Sequence, residues 1–297
     1  MVRRRNRRDA QTARPGGPYR RRDLLGLLPF VAFVTLFLLL PASTLVLGAF
    51  QGDGGRFTLE HVAGLSQRFI LEGYRNSIQV SVVTALIGGA FGFLLAYAVT
   101  LGELPTFVRG TVITFAGVAS NFAGVPLAFA FISTLGRTGI VTGFVKDLGI
   151  DLYKQGFDLY TFAGLSLTYL YFQFPLMILI MAPALDGLKR EWREASENLG
   201  ATVTQYWRHV ALPILLPSIL GSMVLLFGNA FGAYATAFAL TGGTLDLVTI
   251  MIGAQIRGNV LYDPGLGYAL AVGMIVIMAF SIGLYSLLQR RSERWLR

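Results

Sequence analysis

Glu191–Pro213 reads EWREASENLGATVTQYWRHVALP, a polar, helix-forming stretch set between two long apolar runs. Leu185, Leu188, Trp192, Ala195 and Leu199 recur at steps of three and four, which predicts one stripe of an amphipathic helix. Lys189, Arg190, Arg193, Glu194 and Glu197 occupy the other face. Gly200 follows the last stripe residue, where a left-handed position would end the helix. Thr202 and Gln205 stand as a Thr-x-x-Gln capping box opening a second short helix, whose apolar face is Tyr206, Trp207 and Val210. Pro213, tolerated in a first helical turn, begins the next apolar run. A helix resting in lipid headgroups, with Trp192 and Trp207 as belt aromatics, would carry a strongly basic face. Here Glu191, Glu194 and Glu197 offset Lys189, Arg190 and Arg193, so a mixed-charge helical knob suits a protein partner better.

The surrounding composition is that of a membrane protein. Of 297 residues, 54% are hydrophobic and 14% charged, against roughly 25% charged in soluble domains. Mean hydropathy is +0.59. Six stretches reach the length of about 20 apolar residues that a span requires: 24–50, 76–100, 111–135, 161–183, 213–240 and 266–289. Pro41, Pro126, Pro175, Pro213 and Pro217 fall within or at the ends of these runs, where neighbouring groups can re-satisfy freed backbone. Lys and Arg alternate in density between the connecting segments. The 1–23 tail, the 101–110 and 184–212 loops and the C-terminal end hold 18 of the 25, while the 51–75, 136–160 and 241–265 loops hold 7. Asp and Glu divide evenly, eight to each set. The positive-inside effect therefore predicts both termini, and the stretch above, on the cytoplasmic side.

The expected organisation is a disordered basic tail over 1–23, a six-helix membrane domain over 24–289 with its polar loop at 184–213, and a short basic end over 290–297. The tail carries nine arginines but only Tyr19 as a base-stacking aromatic, which argues against nucleic-acid binding. Arg21-Arg22-Asp23-Leu24-Leu25 has a twin-arginine look, yet the following apolar run is too long for a signal's core and more spans succeed it. With no cysteine and only His61 and His209, thiolate metal sites, disulfides and histidine catalysis are not expected. No motif gathers Ser, Asp and His, and no GxxxxGK[ST] loop is present to bind a nucleotide. No catalytic residue, metal or cofactor is expected.

Within the spans, Gly88, Gly92 and Ala96, and again Gly228 and Gly232, set small residues four apart, a spacing that lets helices approach closely. Any passage through the membrane would be lined by neutral groups, for which Asn121, Tyr169, Gln173, Asn229, Tyr234 and Thr236 are candidates. Interhelical hydrogen bonding competes with a lining role for each. Asn229 and Tyr234 stand out because they share a span with Gly228 and Gly232, directly after the polar stretch. Ion-coupled carriers usually hold ionisable groups near the midplane and channels a polar filter ring, neither of which is evident; such a transporter working without an ATPase is the alternative class.

Glu194-Ala195-Ser196, three residues, Gly200, nine residues and Val210-Ala211-Leu212-Pro213 resemble the EAA loop of permease subunits of binding-protein-dependent ABC importers. The family pattern is Glu-Ala-Ala, three residues, Gly, nine residues, Ile-x-Leu-Pro; Ser196 and Val210 are the departures. The similarity extends from Asn76-Ser77 to the C-terminus. It implies an all-α type I importer permease with both ends inside, in a prokaryotic plasma membrane. Implied partners are two cytoplasmic ATPase subunits, a second permease (a distinct homologue more often than a copy) and an extracytoplasmic solute-binding protein. Glu194, Ala195, Ser196, Gly200, Leu212 and Pro213 would form the ATPase-coupling loop. Leu135-Gly136-Arg137-Thr138-Gly139-Ile140 and the ALTGG…LVTIMIGAQI stretch over 239–256 resemble the subgroup handling polyamines, ferric iron, thiamine, sulfate-like anions and phosphonates, with a leaning toward polyamines.

Overall fold

The computed structural model describes residues 21–102, 104–257 and 263–293, so most of the basic tail and the last residues of the C-terminal end lie outside the described residues. The chain divides into two units between Leu47 and Gly48. The first contains α1 (Arg21–Val34), a π-helical turn (Thr35–Leu39) and the start of α2 (Leu40–Ala49). A proline lacks an N–H and its ring crowds the carbonyl four residues earlier. Widening the turn ahead of Pro41 relieves that crowding, and the Leu40 amide bonds instead to Thr35 O.

In the second unit, α3 (Glu60–Gly64) precedes α4 (Arg68–Leu101), whose 34 residues exceed what a bilayer core needs. There follow α5 (Thr106–Asn121), α6 (Gly124–Leu135), α7 (Ile140–Asp147) and α8 (Phe162–Asp186). The polar stretch supplies α9 (Arg190–Asn198) and α10 (Val203–Tyr206), and a π turn (Trp207–Ala211) leads into α11 (Leu212–Phe231). The chain closes with α12 (Tyr234–Thr241), α13 (Val248–Arg257) and α14 (Pro264–Glu293).

Six helices among the described residues are long and apolar enough to cross a membrane. Two of the expected spans are nonetheless broken. The third was expected as one helix over 111–135; it ends at Asn121 and restarts at Gly124. Pro126 cannot donate to the carbonyl of Phe122, and Gly124 takes φ +74°, a conformation costly to any residue with a Cβ. The third apolar run accordingly qualifies over Gly124–Asp147, spanning α6 and α7. The fifth, expected unbroken over 213–240, ends at Phe231 and resumes at Tyr234.

The bundle is organised on α8, which packs against α4, α5 and α11 and buries Tyr169, Phe172, Met177, Met181 and Leu185. The expected small-residue approach is present. A Cβ built on Gly88 would stand 2.6 Å from that of Gln173, and one on Gly92 2.6 Å from that of Met177, both on α8. Gly228 instead meets Met278 of α14. The outer surface exposes large apolar side chains such as Phe115, Phe129 and Phe280, as a lipid-facing surface does. At one end of the bundle Ser77 Oγ accepts the Val248 amide at 2.9 Å and Asn76 Nδ2 donates to Asp246 O at 3.1 Å, so the Asn-Ser pair fixes the start of α13.

Candidate coupling segment and membrane recess

The polar stretch folds as helix, turn and helix, though not in the expected phase. Gly187 ends α8, so Leu185 and Leu188 precede α9 and the predicted stripe is not continuous across the break. On α9 the face turned inward carries Trp192 and Ser196, while Ala195 is exposed and Leu199 is 88% exposed. Ser196 is buried, its hydroxyl donating to Arg193 O at 2.8 Å. Glu194 and Glu197 pair with Arg190 and Arg193, each at 2.9 Å and one helical turn apart. The Glu197 hydrogen bond holds the Arg193 proton more tightly than usual.

Gly200 has φ +76° and reverses the chain, its amide on Glu197 O and that of Ala201 on Ser196 O. The capping box is complete: Gln205 N donates to Thr202 Oγ1 at 3.3 Å and Thr202 N to Gln205 Oε1 at 2.8 Å. The second π turn then lies two residues ahead of Pro213, as the first lies two ahead of Pro41, with the Leu212 amide on Trp207 O. Trp207 stacks edge-on to Tyr97 of α4 at 5.1 Å, so the segment rests on the end of the longest helix. Beneath it is a cavity of about 220 Å³ whose walls include Tyr97, Ser196, Tyr206 and Trp207. Leu212 and Pro213 begin α11, with Leu212 exposed.

The two helix breaks meet. α6 and α12 pack side by side, and the Gly124 amide, at the start of α6, donates to Thr236 Oγ1 in the first turn of α12 at 2.7 Å. The Tyr169 hydroxyl donates to Ala233 O, the N-cap carbonyl of α12 at the second break, at 2.8 Å. Around these contacts is a recess of about 480 Å³, lined in part by Ser120, Phe172, Asn229, Tyr234 and Thr236. The Arg257 guanidinium lies 5.3 Å over the Tyr234 ring.

The sequence candidates for a passage separate here. Asn229 and Tyr234 line the recess; Tyr169 and Thr236 brace the breaks around it. Asn121 caps its own helix through Gly117 O at 2.8 Å, next to the recess rather than among its lining residues. Gln173 is fully buried, its Nε2 3.1 Å from Leu226 O and 3.4 Å from Thr84 Oγ1, so it ties α4, α8 and α11 together away from the recess. Ser120, Phe172 and Arg257 were not singled out from sequence. The Gly124-Val125-Pro126 triplet would have pointed to Ser120, since it marks the break just after it; Phe172, on α8, joins the recess only through packing. Among the described residues no group of three His, Cys, Asp or Glu could hold a metal.

A bundle of interrupted apolar helices carrying one exposed helix-turn-helix is the architecture of a multi-pass membrane protein. Residues 88–294 match the family described as the binding-protein-dependent transport system inner membrane component, and the chain belongs to it. It is a multi-pass membrane permease subunit of an ABC importer. A similar relative is the sulfate transport system permease protein CysT of Salmonella typhimurium, 26% identical over 270 residues, covering 88% of this chain and 90% of that protein. Another is the ferric transport system permease protein FbpB of Actinobacillus pleuropneumoniae, 25% identical over 240 residues, or 79% of this chain and 34% of that one. In fold, the chain is similar to a bacterial ABC transporter involved in the import of the acidic polysaccharide alginate. That match has TM-score 0.70 and 20% identity, covering 91% of this chain and 96% of that one. An inward-facing structure of the MetNI methionine ABC transporter aligns with TM-score 0.52 and 16% identity over 76% of this chain and 99% of that one. The sulfate and ferric relatives give no support to the polyamine leaning read from residues 239–256.

Proposed function

We propose that this chain forms half of the membrane path of an ATP-driven importer for a small inorganic oxyanion of the sulfate type. The observation that carries this reading is the recess at the paired breaks. Its lining includes no Asp or Glu, two half-helices begin at it, and Arg257 stands over its Tyr234 wall. Helix N-terminal turns carry partial positive charge and amides without intrahelical partners, which favour an anion. The absence of a fixed charge among the lining residues keeps the site weak, as a passage requires, and leaves selection to a solute-binding protein.

In this reading the 187–213 segment faces the cytoplasm, as the Lys and Arg distribution favours. Glu194, Ala195 and the exposed tip at Leu199 contact an ATPase subunit, Ser196 packs inward and Gly200 sets the turn. Leu212 and Pro213 pass the movement into α11 and so to the recess. A second, homologous permease completes the path, and the loops at the opposite end receive the binding protein. Substrate passage is then a two-state equilibrium biased by ATP through the segment.

The test is reconstitution in proteoliposomes with its ATPase, second permease and binding protein. ATP-dependent uptake of radiolabelled sulfate, not competed by spermidine or ferric citrate, is expected. Uptake by this chain without an ATPase would overturn the importer reading; uptake of spermidine or iron in place of sulfate would overturn the substrate class alone.

A further inference from the structure

Arg109 and Asp186 are far apart in sequence and belong to different helices, yet one guanidinium nitrogen bridges both carboxylate oxygens, at 2.8 and 2.7 Å. Each charge sits at the wrong end of its own helix. Arg109 is in the first turn of α5, where unpaired amides disfavour a cation, and Asp186 is the last residue of α8, where unpaired carbonyls disfavour an anion. Neither residue is therefore explained by the helix that carries it, and each is accounted for by the other. The position is also special. Asp186 is followed by Gly187, Leu188 and Lys189 and then by α9, so the pair grips the chain just before the coupling segment begins.

We propose that the Arg109–Asp186 pair is a clasp that imposes movement of the coupling segment on the third span. The two ends of that segment then reach the recess by separate routes. The C-terminal end continues through the π turn into α11 and the break at Gly232–Ala233. The N-terminal end is fastened by Asp186 to α5, which runs to the break at Phe122–Ala123. The routes rejoin where the Gly124 amide meets Thr236 Oγ1. With the clasp closed, α5 follows the segment through the ion pair as well as through its packing on α8; with it open, that packing alone carries the movement to α5. Arg109 and Asp186 are positioning residues, since neither is among the residues lining the recess. The side chains are 36% and 50% exposed, so losing the pair leaves the fold intact and acts on coupling.

This inference rests on the importer reading, and the wild-type complex tests that reading separately by showing ATP-dependent uptake. Arg109→Gln, Asp186→Asn and the exchanged pair Arg109→Asp/Asp186→Arg are compared in the reconstituted complex for solute moved per ATP hydrolysed. Each single variant should assemble with the ATPase and keep its hydrolysis rate. Solute moved per ATP should fall about fivefold, the size of a modest coupling between sites. The exchanged pair should recover most of it. Unchanged solute per ATP in both single variants, or no recovery in an exchanged pair that assembles normally, would overturn the clasp.

Discussion

The third and fifth spans are both interrupted where they meet, but the two interruptions have different origins. The break at Phe122–Ala123 is written into the local chain: Gly124 adopts φ +74° and Pro126 removes a donor and crowds the preceding turn. The break at Gly232–Ala233 has no proline and no positive φ. It is braced by a neighbour, the Tyr169 hydroxyl on α8, which adds a hydrogen bond to Ala233 O. One break is accounted for by its own residues; the other is also tied to the helix beside it. The recess between them has one wall set by its own residues and one braced by packing, and the second is continuous with the polar segment.

Substitutions at the breaks separate these origins. Tyr169→Phe removes the hydrogen bond of a side chain buried in the bundle and should cost about 1.5 kcal/mol, read as a lower midpoint in thermal unfolding of the detergent-solubilised complex, with a matching loss of uptake. Gly124→Ala has room for its Cβ, since the nearest atom to one built there is 3.7 Å away. The expected cost is therefore backbone strain alone, about 1 kcal/mol. If Gly124→Ala were neutral, the first break would not depend on its left-handed residue. Thr236→Val keeps the shape but strips the acceptor from the Gly124 amide, for about 1 kcal/mol, and double-mutant cycles with Tyr169→Phe should show whether the breaks are energetically joined. Pro126→Ala should have the smallest effect, below about 1 kcal/mol, because the left-handed Gly124 still interrupts the helix without it. Uptake close to wild type in that variant, beside a clear loss in Tyr169→Phe, would sharpen the contrast between a local and a tertiary break.

The same contrast explains what could be read from the chain. The six apolar runs, the turn at Gly200 and the Thr202–Gln205 capping box are local patterns, and each is present in the structure. The stripe from Leu185 to Leu199 misled because periodicity counts through a helix break without detecting it, and Gly187 resets the phase. Gln173 looked like a lining group because a neutral polar residue in a span suits a passage and a hydrogen-bonded core equally well; only packing places it in the core. The Arg109–Asp186 pair and the stacking of Arg257 on Tyr234 join residues too far apart for any motif to register. Of the recess, Asn229 and Tyr234 were legible, while its shape was not, since it arises from two breaks meeting through Gly124 and Thr236.

The central claim is that the recess at the paired breaks is a path opened and closed through the coupling segment. The chain has no cysteine, so a single cysteine at Asn229 can be followed alone, with one at the exposed Phe280, outside the recess, as the control. Labelling by a membrane-impermeant thiol reagent is measured in the assembled complex without nucleotide and with ATP trapped. The rate at position 229 should change about tenfold between the two conditions, as for a group that alternates between exposed and enclosed, with no change at 280. Equal labelling at 229 in both conditions would contradict it.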